Sequence, residues 1–148
     1  MLKTGDHIPD EFELKDHDGK VRKISEFNGK RHLFYTYPKN FTPGCTTEAE
    51  KFRDSIKLYE NADIEIIGIS ADSAESHAKF KAKYNLPFTL LSDPDKKFLK
   101  ALGTIEAGKI KRRTWLVDKE GKVEKVYEKV SPTKHNSELC EYYMLKKD

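Results

Sequence analysis

The chain contains little cysteine and no ordered set of metal ligands. Its 148 residues include two cysteines, Cys45 and Cys140, which most of the chain separates. This is not the dense cysteine framework of a small secreted protein, so we expect no structural disulfide. The five histidines lack the paired spacing of a zinc site, and no Cys-x-x-Cys occurs. We therefore predict no metal ion.

Long apolar runs and a charge of one sign are also lacking. No apolar run reaches the length of a membrane-spanning helix, and residues 1–9 lack the apolar segment of a signal peptide. Lysine and arginine number 28 against 25 aspartates and glutamates, with the two signs interspersed. This balance indicates neither a nucleic-acid partner nor a membrane partner. We predict a cytoplasmic protein whose residues 1–148 form one domain.

The chain does contain a cysteine at the start of a helix-like run. Thr42 suits an N-cap and Pro43 the first helical position, so Cys45 is predicted in the first helical turn. Free backbone N–H groups and the helix dipole there favour a thiolate. The alternative is a small core cysteine. Gly44 favours the reactive cysteine, because it permits close approach of backbone or ligand.

Alternating strand and helix patterns predict an α/β fold. In chain order we predict a hairpin (12–27), a strand (32–37), a helix (46–60), a strand (64–70), a helix (74–84), a strand (88–91), a helix (95–102), a hairpin (114–127) and a helix beginning at 131–134. This order predicts a central mixed sheet with helices on both faces. Functional loops are expected where parallel strands end, and Cys45 follows such an end.

The segment 37–46 resembles the active-site segment of peroxiredoxins, specifically the bacterioferritin-comigratory or Q subfamily. Three positions match the pattern Pro-x-x-x-Thr-x-x-Cys: Pro38, Thr42 and Cys45. The likeness also includes Gly5-Asp6-x-x-Pro9 and the segment 90–93. It implies a thioredoxin-like fold with an N-terminal β-hairpin. It also implies reduction of hydrogen peroxide or organic hydroperoxides by a cysteine, without metal or organic cofactor.

The family's active site further contains an arginine on a late strand, and Arg112 occupies the matching position. Arg113 is the second candidate. Without the resemblance, residues 109–113 would be interpreted as a solvated basic edge. Strand alternation places Arg112 on the face of Thr114 and Arg113 on the face of Trp115. Because both faces of the sheet are expected to be covered, alternation does not decide between the two arginines.

The chemistry explains why these residue types belong together. Attack of sulfur on one peroxide oxygen places negative charge on the departing oxygen. The Arg112 guanidinium, the Thr42 hydroxyl and the backbone N–H groups of Gly44 and Cys45 would hold the two oxygens, and Pro38 would supply an apolar wall. A plain capping role for the Thr42 hydroxyl is an equal alternative.

Attack converts Cys45 to a sulfenic acid, which a thiol must reduce. Many members of the subfamily carry a resolving cysteine five positions later, where this chain has Glu50. Cys140 lies in the predicted terminal helix, where core packing is the favoured interpretation. We therefore predict an external thiol reductant, either a thioredoxin-like protein or a small molecule. We also predict a monomer or a weak homodimer.

Other functions and residues were weighed against this one. A thiol–disulfide oxidoreductase on the same fold would need the missing paired thiols, and a redox-signalling or chaperone module remains an alternative. Glu48 and Arg53 are predicted to be surface charges or members of local ion pairs, with support of the active-site arginine as the second possibility. Asn40 stands where the resembled subfamily often has aspartate.

Overall fold

A computed structural model describes residues 1–145 of the chain. Within this range the strands are β1 (Glu13–Asp16), β2 (Val21–Lys23), β3 (Arg31–Thr36), β4 (Ile64–Ser70), β5 (Thr89–Ser92), β6 (Ile105–Glu106), β7 (Lys109–Ile110), β8 (Arg113–Val117) and β9 (Val123–Tyr127). The helices are α1 (Pro43–Asp54), α2 (Ile56–Asn61), α3 (Ala74–Tyr84), α4 (Lys97–Leu102) and α5 (His135–Tyr142), with a 3₁₀ helix at Ile24–Phe27.

Seven strands form one mixed sheet in the order β2-β1-β5-β4-β3-β8-β9. The three central strands, β3, β4 and β5, are parallel, because helices connect each to the next. β8 pairs antiparallel with β3, and β9 pairs antiparallel with β8. The carboxyl end of β3 and the start of β8 therefore meet at the same edge of the sheet. β6 and β7 form a separate two-stranded hairpin.

Strand alternation divides the core into two layers. On β3, Leu33 and Tyr35 pack in the layer that contains Phe52 of α1 and Leu139 of α5. Phe34 points to the other face, in the layer that also holds residues of α4. Both faces of the central strands are covered, and apolar side chains of these strands point to both of them. No helix within residues 1–145 combines the length and the apolar character needed to cross a bilayer.

The prediction of one helix over residues 46–60 is wrong in two respects. The helix already begins at Pro43, and it is interrupted at Ser55, whose φ of −105° and ψ of 8° are not helical. Both pieces still bury their apolar faces in the same layer, since Phe52 and Tyr59 belong to it. Apolar residues at helical spacing continued across the break, which hid it in the sequence.

Other elements also differ from the predictions. The terminal helix begins at His135, because residues 131–134 form a turn in which the Lys134 N–H donates to the Ser131 carbonyl at 3.1 Å. The β6–β7 hairpin was not predicted. The second strand of the first hairpin is shorter than predicted and gives way to the 3₁₀ helix.

Candidate active site

Cys45 is the third residue of α1, directly after the loop that leaves β3. It is buried, with 2% of its surface exposed. The N–H groups of Gly44 and Cys45 belong to the first helical turn, where no preceding turn supplies carbonyl partners. These donors and the positive end of the helix dipole therefore surround the sulfur.

Arg112 reaches Cys45 from the position directly before β8, the strand next to β3. In the β3–β8 pairing Arg113 faces Thr36, so Arg112 lies just past the last paired residue of β3, next to the start of α1. Its Nη2 donates to the Cys45 Sγ at 3.3 Å, and its Nη1 donates to Glu48 Oε1 at 2.8 Å. A guanidinium in this position stabilises negative charge on the sulfur.

Glu48 completes the cluster one helical turn after Cys45. Its side chain is 1% exposed, and burial raises its pKa to about 7, although the Arg112 charge and hydrogen bond act in the opposite direction. Oε1 accepts the bond from Arg112, whereas Oε2 has no partner among the described residues. The prediction of a surface charge is therefore wrong for Glu48. Its spacing of three from Cys45 places both side chains on one helix face, and this signal could have identified it.

Gly44 allows the guanidinium to lie against the first turn of α1. A β-carbon at this position would stand 3.1 Å from Arg112 Nη2 and 3.4 Å from Pro132 Cγ. Both distances are short or at the limit of ordinary contact, so any side chain here would press on the arginine. The close approach predicted for this glycine is thus made by Arg112.

Thr42 and Pro38 precede Cys45 by three and seven residues in the chain. Within the described residues, neither makes a hydrogen bond to the Cys45 sulfur. Thr42 occupies the N-cap position, where its carbonyl accepts from the Thr46 N–H at 2.9 Å. Its hydroxyl does not cap the helix, contrary to the prediction, because it donates to the Lys39 carbonyl at 2.8 Å. Pro38 is exposed.

Arg113 lies on the opposite face of the sheet from Cys45. Its Nη1 donates to the Gly103 carbonyl at 2.9 Å, and its Nη2 pairs with Glu106. Arg113 is buried, and its guanidinium contacts the segment that contains the β6–β7 hairpin. Of the two candidate arginines, the structure brings Arg112 to the sulfur.

A sequence model of the AhpC/TSA family matches residues 4–126 of the chain. The chain belongs to the AhpC/TSA family. A peroxiredoxin Bcp from Bacillus subtilis (strain 168) is 43% identical over 148 residues, which cover 95% of this chain and 94% of the relative. The chloroplastic peroxiredoxin Q of Triticum aestivum is 46% identical, covering 88% of this chain and 62% of the longer plant protein.

Solved structures support the same assignment. The Xanthomonas campestris bacterioferritin comigratory protein, described for its alkyl peroxide reduction activity, is 28% identical and superposes with a TM-score of 0.90. The match covers 97% of this chain and 98% of that chain. The α/β fold of this AhpC/TSA family member is the thioredoxin-like fold of the peroxiredoxins, which confirms the predicted fold class.

Two positions bear on the predicted recycling of the sulfur. Glu50, five positions after Cys45, is partly exposed, and its Oε2 lies 3.7 Å from Arg53 Nη1. Cys140 is half-buried in α5, with its sulfur 3.9 Å from the Tyr59 hydroxyl and 3.8 Å from Asn136 Oδ1. Among the described residues, no three His, Cys, Asp or Glu side chains converge as metal ligands.

Proposed function

We propose that this chain is a thiol-dependent peroxidase that reduces hydrogen peroxide and organic hydroperoxides through Cys45. The observation that best supports this proposal is the 3.3 Å contact from Arg112 Nη2 to the Cys45 sulfur at the first turn of α1. This arrangement supplies a nucleophile together with fixed donors for developing charge. The family membership and the peroxiredoxin relatives support the same activity.

In the proposed reaction the Cys45 thiolate attacks the terminal oxygen of the hydroperoxide. A sulfur–oxygen bond forms as the oxygen–oxygen bond breaks, and the electron pair leaves on the second oxygen. That oxygen takes up a proton and departs as an alcohol, or as water when the substrate is hydrogen peroxide. The sulfur is oxidised to a sulfenic acid. Arg112 and the N–H groups of Gly44 and Cys45 stabilise the charge on the leaving oxygen, while Thr42 and Pro38 shape the entrance.

We infer that an external thiol reduces the sulfenic acid. Cys140 is anchored at the far end of α1, because Asn136, one turn before it, donates from Nδ2 to Ser55 Oγ at 2.8 Å. Ser55 follows Cys45 by ten residues, which corresponds to about 15 Å of helix. A disulfide needs Cα atoms within about 7 Å, so this separation supports an external thiol over Cys140 as the reductant.

The proposal extends to the setting of the enzyme. A thioredoxin-like protein or a small-molecule thiol is the proposed reductant, and the chain is proposed to act as one 148-residue domain, as a monomer or weak homodimer in the cytoplasm. The mixed surface charge and the absence of an apolar run of membrane-spanning length in the sequence support this setting.

Peroxide consumption by the purified chain tests the function. Hydrogen peroxide and an alkyl hydroperoxide are each supplied with dithiothreitol and then with thioredoxin and its reductase. We expect Cys45→Ser to abolish consumption and Cys140→Ser to retain it with both donors. Persisting consumption in Cys45→Ser would refute the peroxidase assignment. Loss of thioredoxin-driven turnover in Cys140→Ser, with a Cys45–Cys140 disulfide seen by mass spectrometry, would refute external recycling.

A further inference from the structure

A buried polar network lies beneath the loop that leads into α1. Its centre is Asn40, which is 3% exposed although it belongs to a surface loop. The backbone N–H of Asn40 donates to Asp72 Oδ2 at 2.9 Å, and its side-chain Oδ1 accepts from the Tyr37 hydroxyl at 2.7 Å. Its Nδ2 donates to Ser76 Oγ at 3.1 Å and lies 2.9 Å from His77 Nδ1. Asn40 therefore ties the loop to α3 and to the end of β4.

His77 can take part in this network in one protonation state alone. Its Nε2 lies 2.9 Å from the Leu91 carbonyl, which only accepts, so Nε2 carries a hydrogen. In the neutral ring Nδ1 then presents a lone pair to the Asn40 amide nitrogen. A second ring proton would place two donors face to face and break the contact. The observed set of bonds thus requires neutral His77 with the hydrogen on Nε2.

The residue after Asn40 shows that the loop needs this anchor. Phe41 has a φ of 66°, in the left-handed region, and its aromatic side chain is 44% exposed. Such a conformation is strained for a residue other than glycine, and it persists where the surroundings fix it. Asn40 fixes the chain on one side of Phe41, and the first turn of α1 fixes it on the other.

We propose that Asn40 is a positioning residue, which uses neutral His77 to hold the 38–42 loop in the shape that presents the first turn of α1 and Cys45 to the hydroperoxide. The proposal rests on the peroxidase function proposed above. It assigns a role in that function to a residue that does not touch the reacting atoms.

The surroundings keep His77 neutral over the working range of pH. Burial lowers the pKa of His77 to about 4, and the nearby His17 acts in the same direction. Asp72 and the bond to the Leu91 carbonyl act in the opposite direction. The remaining polar groups that face the ring are the uncharged hydroxyls of Tyr37 and Ser70, each 3.5 Å away. The anchor in the natural chain is therefore insensitive to pH between about 5.5 and 8.5.

Asn40→Asp tests the anchor, because it should make the loop respond to pH. A carboxylate opposite Nδ1 is satisfied by a protonated His77 and repelled by the lone pair of the neutral ring. We expect the ratio of kcat/KM for Asn40→Asp to that for the natural chain to stay within twofold at pH 5.5. The same ratio should fall at least fivefold by pH 8.5. Taking the ratio cancels the ionisation of Cys45, which both proteins share.

Two further variants separate positioning from general stability. Asn40→Ala should lose at least tenfold in kcat/KM at pH 7, and Ser76→Ala, which removes one acceptor and leaves His77 in place, should stay within twofold. Thermal unfolding of each variant is measured alongside. Nitrogen-15 NMR of His77 in the natural chain should show the Nε2–H tautomer, with no titration above pH 5.

A ratio for Asn40→Asp that stays constant with pH in a folded, active variant would overturn the proposal. So would a Ser76→Ala loss equal to that of Asn40→Ala, or a charged His77 at pH 6 in the natural chain. If Asn40→Asp does not fold, the positioning role of Asn40 is tested by the tautomer measurement and by the comparison of Asn40→Ala with Ser76→Ala. Failure of the peroxidase function itself is recognised separately, by activity that does not depend on Cys45.

Discussion

At the scale of single residues, the chemistry depends on three side chains in a line. Glu48 holds Arg112, and Arg112 contacts the Cys45 sulfur. Ionisation alone cannot account for catalysis, because an ordinary cysteine with a pKa of ~8.5 gains at most roughly thirtyfold from complete ionisation near neutral pH. Enzymes commonly gain about a millionfold or more. Positioned donors must supply most of the difference, and we propose Arg112 as the strongest of them.

The two neighbouring arginines give a matched test of this argument. Arg112→Ala should lower kcat/KM for hydrogen peroxide by ~10²–10³-fold, because it removes a donor that acts on the developing charge. Arg113→Ala should stay within about threefold in kcat/KM, since Arg113 bonds to the Gly103 carbonyl on the other face. Steady-state peroxide reduction with dithiothreitol measures both. A larger loss in Arg113→Ala than in Arg112→Ala would reverse the assignment.

Gly44 provides a second test at this scale. Alanine is the better helix former, so Gly44→Ala should leave thermal stability equal or slightly raised. The added β-carbon would nevertheless meet Arg112 Nη2 at 3.1 Å. We expect about a tenfold loss in kcat/KM from the displaced guanidinium. Thr47→Ala, in the same turn, serves as the control. Unchanged kinetics in Gly44→Ala would show that the arginine has room to move.

At the scale of secondary structure, the order of elements followed from the sequence, whereas some of their ends did not. The β3–α1 junction was predictable because aromatic strand residues, a proline and a glycine all indicate one geometry. Helix periodicity could not reveal the break at Ser55, whose hydroxyl accepts a hydrogen bond from Asn136 of α5. The β6–β7 hairpin was missed because each strand has two residues, although Gly108, with a φ of 77°, marks its turn.

The same scale explains why Arg112 could be identified and Glu48 was not. Pairing between β8 and β3 brings Arg112 to Cys45 in the structure. The resemblance to the family indicated the same arginine without knowledge of this pairing. The spacing of three between Cys45 and Glu48 is the available signal, but the surrounding charged residues of α1 obscure it, because the contact that buries Glu48 is made by the distant Arg112.

Asn136 tests how α5 is attached to the broken helix. It donates to Ser55 Oγ and accepts from the Tyr59 hydroxyl, both at 2.8 Å. Asn136→Ala should lower the free energy of unfolding by about 1–3 kcal/mol, because the buried Tyr59 hydroxyl loses its partner. Urea unfolding measures the change, and Glu141→Ala, exposed on the same helix, is the control. Equal stability of the two variants would mean that α5 is held by apolar packing alone.

At the scale of the whole molecule, two buried groups at the site affect stability with opposite pH dependence. Glu48 has its pKa raised from 4.5 to about 7, so the folded state binds more protons than the unfolded state between these values. Stability from this group is present below pH 4.5 and is lost as the pH rises through 7. His77 has its pKa lowered from 6.5 to about 4, so its contribution is lost as the pH falls.

Glu48→Gln isolates the first of these contributions. The free energy of unfolding of this variant, relative to the natural chain, should rise by about 3 kcal/mol between pH 4.5 and 7, at 1.36 kcal/mol per pKa unit. Urea unfolding at a series of pH values measures the difference. Glu50→Gln, on the more exposed side of α1, should show a flat difference. A flat difference in Glu48→Gln as well would mean that folding does not shift the pKa of Glu48.

Cys45 lies at the start of α1, and Cys140 of α5 is anchored near the other end of α1. This separation has a consequence for the kinetics of turnover. Under the proposed recycling by an external thiol, an oxidised molecule waits for a collision with its donor, so the lifetime of that state varies inversely with donor concentration. In a cell starved of reducing equivalents, the proportion of oxidised molecules would rise before any other step slows, and those molecules would be exposed longest to a second, irreversible oxidation.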